Sequence, residues 1–523
     1  MLPPVTAFAL RELAPAPDVL ALYARLRSGV APWLLESALA DARLGRFHFL
    51  GADPWCIARV FGSRVEIERR RGPDGRATSE RSAFEGDPFV VLRALRPHRP
   101  ECAPPPFPFA GGLVGWLGYE LAAHCDAPEL RSRDDLGLPD ALLLGVDRCV
   151  AIERASGRAF LCALGFGDDL ASARARAEAG LDTLEHALAA PCESERADAS
   201  VAPVARVRTS APPPALDTGA YAKSVDAILE EIAAGRVYQA CFTQRCEHAF
   251  EGDAFALHCA LRRVNPAPFA ACLELPEVSL AGSSPERFLR VSRGGEVESR
   301  PIKGTRPRGS TPERDEALRA ELLASPKERA ENLMIVDLVR NDLGRVCETG
   351  SVHVPELFAV EPYASVFQLV SSVRGRLARG RDAFDAVRAC FPPGSMTGAP
   401  KRAAMRLLDR LEGVRRGVYS GALGYFDAWG GVDLSVVIRS IVLARGRAWL
   451  HAGGGIVADS LPFAEHAEAE QKLAPLLRAL EEAERRKEAD AKSADAQRGE
   501  AERRPVARAR AISEREGPAE PAR

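Results

Sequence analysis

Three stretches of this chain carry residue types that do chemistry. Glu331 lies in Glu331-Asn332-Leu333-Met334-Ile335-Val336-Asp337-Leu338, among mostly apolar side chains. A carboxylate there is costly to bury unless something positive meets it. Arg or Lys is the usual partner of a lone buried Glu, and a divalent cation is the alternative. Glu465, Glu468 and Lys472 stand at i, i+3 and i+7, so they share one helical stripe. Such a stripe is commonly a solvated face with an i,i+4 ion pair. Joined by Glu331 from another helix, it would suit Mg2+, which takes hard oxygen ligands and keeps several waters.

Lys303 sits between Ile302 and Gly304 in the run Pro301-Ile302-Lys303-Gly304-Thr305-Arg306-Pro307-Arg308-Gly309. An amine in an apolar setting near other cations sheds its proton more readily and becomes nucleophilic. The plain reading is a surface loop with three cations. Glu286, in Ser284-Pro285-Glu286-Arg287-Phe288, is a general acid/base or an ion-pair partner of Arg287, and composition does not choose. Gly453, Gly454 and Gly455 form either a Gly-rich turn or a backbone cradle whose N–H groups face an anion. No dinucleotide fingerprint or Walker lysine motif accompanies them.

Elements must hold these residues. Ser325-Pro326-Lys327-Glu328 predicts a capping box opening a helix that is buried nearly all round through Leu338. Val225, Ile228, Leu229 and Ile232 predict a helix over 221–234. Pro400 opens another, with Ala404, Leu407, Leu408 and Leu411 on one face. Residues 448–451 read as a strand running into the three glycines. Ser460 then caps a helix with the stripe Leu473, Leu476, Leu477 and Leu480, which Pro475 should kink or restart. Residues 47–51, 57–61 and 142–152 read as β-like runs. Strands and helices interleave, so the class is mixed α/β, and periodicity leaves the sheet topology open.

The 523 residues, 46% hydrophobic and 27% charged, suit a soluble globular protein of two to three domains. A formal net charge of −2 gives no reason to expect nucleic acid or an anionic membrane. Twelve scattered cysteines without a C-x-x-C pair suggest reduced thiols in a cytosol. The first fifteen residues lack a signal-peptide pattern, and no apolar run reaches the roughly 18 residues of a spanning helix. A cytoplasmic protein is expected. Composition divides the chain into an N-terminal region, 1–190, an Ala/Pro/Ser/Arg-rich linker, 191–216, a motif-dense region, 217–482, and a charged tail, 483–523. The tail reads as a frayed helix passing into disorder.

Taken in order, Ser284 to Phe288, Pro301 to Gly309, Ala330 to Asp342, Gly394-Ser395-Met396-Thr397-Gly398-Ala399-Pro400-Lys401 and Gly453 to Ser460 resemble the chorismate-binding family. The resemblance covers 217–480 strongly and the first region more loosely, through Leu34 to Ser37, Phe49 to Pro54 and Gly111 to Tyr119. It implies an α+β fold in which antiparallel sheets pack as a sandwich with helices outside. Anthranilate synthases carry Ala where Lys303 stands and usually Ser where Thr397 stands. Both positions therefore resemble the aminodeoxychorismate synthase branch, which aminates chorismate at C4.

The family mechanism then implies roles for residues of this chain. Mg2+ on Glu331 and Glu468, with Glu465 close by, would hold the ring carboxylate of chorismate. N–H groups of Gly453, Gly454 and Gly455, with Lys472, would help neutralise it. Arg439 and Tyr419 would bind the enolpyruvyl carboxylate, and Thr305 and Thr397 would contact the ring. Lys303 would attack C2 while Glu286, as general acid, assists the C4 hydroxyl to leave; ammonia would then displace the lysine. Two positions depart from the family: Gln368 stands where many members have His, and Cys241 where Asn is common. Gln cannot transfer a proton at neutral pH, so only positioning of the leaving hydroxyl remains for that position.

No G-x-C-x-G glutaminase elbow occurs. Ammonia is therefore expected either free or from a separate glutamine amidotransferase subunit, component II. No segment is left for a pyridoxal-phosphate lyase, so the expected product is aminodeoxychorismate, on the route to 4-aminobenzoate and folate. Leu34 to Ser37 resembles the segment at which tryptophan inhibits anthranilate synthases; a structural tryptophan site or an empty remnant is the alternative. Anthranilate synthase activity and a non-catalytic regulatory subunit of the same fold are the competing functions.

Overall fold

The computed structural model describes residues 3–13, 18–39, 43–71, 77–189, 217–363 and 366–502. The expected linker, 191–216, and the end of the tail, 503–523, lie outside them. Two antiparallel sheets pack face to face, of eleven and twelve strands among the described residues. Trp33 and Phe49 of the first sheet meet Ile57, Val114, Trp116, Leu142 and Leu144 of the second in one core. Strand alternation sends Leu113 and Leu117 the other way, into a core with Phe89 and Leu92 of the helix Pro88–Ala94. Helices cover the outer face of the first sheet: Thr218–Ala233, Ala254–Val264, Lys401–Glu412 and Pro462–Glu502 bury Val225, Leu257, Leu407 and Leu473 against it.

Each sheet is shared by the sequence on both sides of 191–216. Trp33–Glu36 pairs with Phe269–Glu274 in the first sheet, and Gly112–Leu117 pairs with Ala422–Asp427 in the second. The break in composition thus separates stretches of sequence and not sheets.

Several elements differ from expectation. The run 142–152 is two strands in different sheets, Ala141–Val146 and Arg148–Glu153, because the chain crosses over at Asp147. That carboxylate is bonded by Arg71, and burial raises its pKa to about 6. The helix Pro326–Gly344 is amphipathic rather than buried all round: Ile335, Val336, Val339 and Leu343 are buried, while Leu333 is 50% exposed. Ser325 caps it by accepting from the Glu328 amide at 3.4 Å, but the Glu328 carboxylate bonds Arg306 instead of closing the box.

The three glycines belong to the strand Arg447–Ile456 and form no turn. Ser460 does not cap the last helix: the amide of Glu465 bonds the carbonyl of Leu461, and the Ser460 hydroxyl serves Val457 and Glu465 instead. That helix passes through Pro475 and continues to Glu502, so the first part of the charged tail is helical. Its Ala, Glu, Lys and Arg content has high helix propensity, which explains the continuation.

Gly115 and Gly424 oppose each other on adjacent strands. A Cβ on Gly115 would stand 1.9 Å from the Leu142 carbonyl oxygen, and one on Gly424 2.0 Å from that of Asp433. Gly115→Ala is expected to cost about 2–3 kcal/mol of stability. A thermal melt reads this as a lowered Tm; an unchanged Tm would contradict so close a strand approach.

Candidate active site

Lys303 lies on an edge strand, Ile302–Pro307, which among the described residues pairs only with Val366–Arg376. The register slips between Ile302 and Thr305, so Lys303 and Gly304 form a bulge. Gly304 has φ 88°, and a Cβ there would stand 2.9 Å from Glu328 Oε2. Glycine is thus required beside the lysine for both conformation and space. Glu286 sits where the chain leaves Ser279–Ser284 of the first sheet for Arg287–Val291 of the second. Its carboxyl is buried there, beside Ser395 and the Ile302 backbone.

Glu331 comes from the helix Pro326–Gly344, and Glu465, Glu468 and Lys472 from Pro462–Glu502. The glycine strand brings these groups together. A Cβ on Gly454 would stand 3.2 Å from Glu465 Oε2, 3.6 Å from Lys472 Nζ and 3.8 Å from Glu468 Oε1. One on Gly455 would stand 2.2 Å from Gln239 Nε2 and 3.2 Å from Lys303 Nζ. The glycines therefore give the polar groups room rather than forming an anion-binding turn. Lys472 donates to the Gly453 carbonyl and pairs with Glu468, each at 2.7 Å.

The electrostatics differ from the sequence expectation at Lys303. Arg306 is paired with Glu321 and Glu328, and Arg308 with Asp315, so the neighbouring cations are neutralised outside. The amine instead faces carboxylates. Burial pulls its pKa down, but Cys241, Glu331, Glu286 and Glu468 outweigh burial and the pKa is raised. Lys303 is therefore a charged ammonium in the free protein.

Burial raises Glu286 to about 7, against a Ser395 hydrogen bond, the charge of Lys303 and the backbone of Ile302. The alternative role, a partner for Arg287, is filled by Asp433 at 2.9 Å and Glu298 at 3.1 Å. A carboxyl that titrates near neutrality beside an amine suits proton transfer.

Burial also raises Glu331, with Lys303 opposing and Glu328 adding to the rise; Glu465 raises it further. Among the described residues Glu331 has no cation within 4.0 Å, while Glu465 is held by the Ser460 hydroxyl at 2.7 Å and Lys327 at 3.7 Å. Among the described residues no three such groups stand close enough to chelate an ion as arranged. The donors nevertheless fit Mg2+ in kind. All are hard oxygens, and the mutual repulsion of Glu331 and Glu465 is the kind a divalent ion relieves.

Arg439 is held at φ 52° and donates to the Lys472 carbonyl at 3.2 Å. Among the described residues no carboxylate lies within 4.0 Å of it, and burial lowers its pKa despite Tyr419 and Glu468. A desolvated guanidinium without a counter-ion is suited to an incoming carboxylate. Tyr419, beside it, stacks on His451 with centroids 4.6 Å apart and planes at 8°. Burial, then Arg245 and Arg416, keeps His451 neutral.

Two expected contacts are placed less directly. Thr397 is fully buried, but its hydroxyl donates to the Gly394 carbonyl at 3.1 Å. Thr305 is exposed at the rim, opposite Gln368, whose buried Oε1 has no partner among the described residues.

Three residues of the site were missed in the sequence. Gln239 is one. His451 is another. The third is Arg416, which donates to the carbonyls of Met396 and Cys241 and pairs with Glu412 at 2.6 Å. A signal did exist for Gln239. In Gln239-Ala240-Cys241-Phe242-Thr243 the apolar Ala240 and Phe242 alternate with polar neighbours, which sends Gln239, Cys241 and Thr243 to the opposite face of the strand.

A separate cavity of about 330 Å3 is lined by Leu35, Glu36, Ser37, Phe47, Phe107 and Tyr425, among others. None of the residues expected to carry the chemistry lines it.

Residues 58–478 match a family described as chorismate binding enzyme. The chain is 44% identical to an aminodeoxychorismate synthase of Streptomyces griseus over 87% of its own length and 62% of that protein. It is 42% identical to one of Streptomyces pristinaespiralis over 91% of its own length and 65% of that protein. The chain thus spans less than two thirds of either relative. The anthranilate synthase component I of Streptococcus pneumoniae superposes with TM-score 0.69 at 28% identity, covering 84% of this chain and 94% of that one.

Glu286 generates a test of its burial. Its folded pKa of about 7 exceeds the ordinary 4.5, so the folded protein binds that proton more tightly. Its contribution to stability is present below pH 4.5 and is lost as pH rises through 7. Glu286→Gln is therefore expected to exceed the wild type in stability at pH 8, by up to about 3 kcal/mol, and to match it at pH 4.5. Urea unfolding at the two pH values measures this; equal stability at both would show that Glu286 is not desolvated.

Proposed function

The chain belongs to the chorismate-binding enzyme family, and from that premise we propose that it converts chorismate and ammonia to 4-amino-4-deoxychorismate through a covalent bond to Lys303. The observation that supports this reading is the position of Lys303, an amine in the electrostatic field of Glu331, Glu286 and Glu468 and 3.2 Å from where a Cβ on Gly455 would stand, with burial raising Glu286 to about 7.

Lys303 must lose a proton before it attacks, and Glu286 would take it. The Lys303 Nζ–C2 bond then forms. The ring double bonds shift from C1=C2 and C5=C6 to C1=C6 and C4=C5. The C4–O bond breaks, and the hydroxyl departs as water with the proton held by Glu286. Ammonia next attacks C4, the double bonds shift back, and the C2–N bond breaks with its electron pair returning to Lys303. The product carries an ammonium at C4, and the glutamate is again ionised.

Binding follows from the charges around the amine. Arg439 would take the enolpyruvyl carboxylate beside Tyr419. Glu331, Glu465 and Glu468 would hold Mg2+, which supplies a counter-charge for the ring carboxylate. Lys472 and the glycine strand lie on the same side. Gln368, with a free acceptor, would position the leaving hydroxyl. A glutamine amidotransferase subunit would deliver the ammonia in a cytoplasmic heterodimer that serves 4-aminobenzoate and folate synthesis. Among the described residues no helix is long and apolar enough to cross a membrane.

The deciding assay incubates the chain with chorismate, Mg2+ and an ammonium salt and identifies the product by mass and ultraviolet spectrum. Aminodeoxychorismate is expected, with the activity lost in Lys303→Ala and lowered by about 10²–10⁴-fold in Glu286→Gln. Anthranilate and pyruvate, little changed by Lys303→Ala, would overturn the reading in favour of anthranilate synthase.

The metal has its own measurement. EDTA is expected to stop turnover and Mg2+ to restore it, with Glu331→Gln raising the Mg2+ needed for half-maximal rate. Full activity in EDTA would exclude the ion.

A further inference from the structure

A carboxyl that exchanges protons needs a fixed direction as well as a suitable acidity. Ser395 stands beside Glu286. The two side chains line one small cavity of about 20 Å3, together with Ser299, Pro301, Asp342 and Cys390. The other hydroxyls nearby are engaged with the backbone. Ser284 accepts from the Glu286 amide at 3.3 Å, and Ser299 donates to the Phe288 carbonyl at 2.7 Å. Ser395, itself buried, is the hydroxyl left for the carboxylate.

The backbone around Ser395 is held from several sides. The residue is the middle of a three-residue 3-10 turn, Gly394–Met396. Just before the turn, Lys401 donates to the carbonyls of Cys390 and Pro392, at 3.0 and 3.1 Å. Just after it, Arg416 donates to the Met396 carbonyl at 2.6 Å, and the Cys241 amide donates to the Thr397 carbonyl at 2.8 Å. A Cβ on Gly394 would stand 2.4 Å from Leu338 Cδ2, so the turn lies flush on the helix Pro326–Gly344. A turn fixed in this way presents its hydroxyl in one place. A hydroxyl that donates to a carboxylate favours the ionised form and fixes which oxygen stays free. The charged neighbours do not duplicate it. Arg287 is occupied by Asp433 and Glu298, and Asp342 by Lys401 at 2.7 Å and Arg345 at 3.1 Å. Lys303 also favours the ionised carboxyl, but it is the group from which the proton comes.

We propose that Ser395 is the positioning residue for Glu286: its hydroxyl donates to one carboxylate oxygen and leaves the other directed at Lys303 and the departing hydroxyl. What the carboxyl does rests on the lysine mechanism proposed above; the hydrogen bond itself is measurable without turnover.

Ser395→Ala removes the donor in the full chain, and Ser395→Thr keeps it, with the small cavity available to the added methyl. Losing the donor raises the folded pKa of Glu286 further above its ordinary 4.5, and that cost appears as pH rises through the folded value. The urea midpoint of Ser395→Ala is therefore expected to fall below that of the wild type by more at pH 8 than at pH 4.5. In a Glu286→Gln background the extra loss at pH 8 is expected to vanish, which loss of a merely structural hydroxyl would not do. At a fixed concentration of free ammonia, the acid limb of kcat/KM for chorismate is expected to move up by about one pH unit in Ser395→Ala and to return in Ser395→Thr. An equal loss of stability at both pH values, or an acid limb that stays in place, would overturn the role of Ser395. A wild type that makes no aminodeoxychorismate, with the pH-dependent stability difference present, would instead overturn the lysine mechanism and support the Ser395–Glu286 bond.

Discussion

A lysine drawn into the field of several carboxylates in a partly dry space is the constraint around which the protein is organised. Lys303 feels the charges of Glu331, Glu286 and Glu468, drawn from an inter-sheet crossover and two separate helices. Removing such charges from water is expensive, and their mutual attraction offsets the cost only while the geometry holds. The same attraction sets the chemistry. The carboxylates keep the lysine charged at rest, and burial keeps Glu286 near neutrality and able to exchange a proton. Nucleophile and acid are thus one coupled unit.

Other buried charges show what a purely structural solution looks like. Arg287 is saturated by Asp433 and Glu298, and Arg416 by Glu412 and two carbonyls. These clamp strands and leave nothing over. Around the amine the pattern is different. Among the described residues Arg439 has no carboxylate and Glu331 no cation within 4.0 Å, and Gln239 and Gln368 have unbonded amide atoms.

The sandwich meets the constraint by bringing distant segments to one place and by omitting side chains where they converge. Gly454 and Gly455 lack the Cβ atoms that would collide with Glu465 and Gln239, and Gly304 makes the bulge that carries Lys303. Sharing both sheets between the two halves of the sequence fixes these segments against one another. The cavity among Leu35, Phe47 and Tyr425 belongs to the same sandwich yet is lined by other residues.

Much of this was legible in the residues. The i, i+3, i+7 stripe of Glu465, Glu468 and Lys472 follows from helical spacing, and so do the leucines that bury its helix. Lys303, Glu286 and the family resemblance needed only ordered motifs. Local pattern also located the strands 47–51 and 57–61 and the helices near Ser325 and Pro400. It misjudged the glycine run, because a Gly-rich strand paired with Gln239–Ala249 has the same composition as a turn. It did not find the charges that act on Lys303, because they are far away in sequence. Which carboxylates surround the amine, which arginine lacks a counter-ion and which amide stays unpaired are properties of contact between segments. Electrostatic energy depends on distance and burial, and only the tertiary structure sets those.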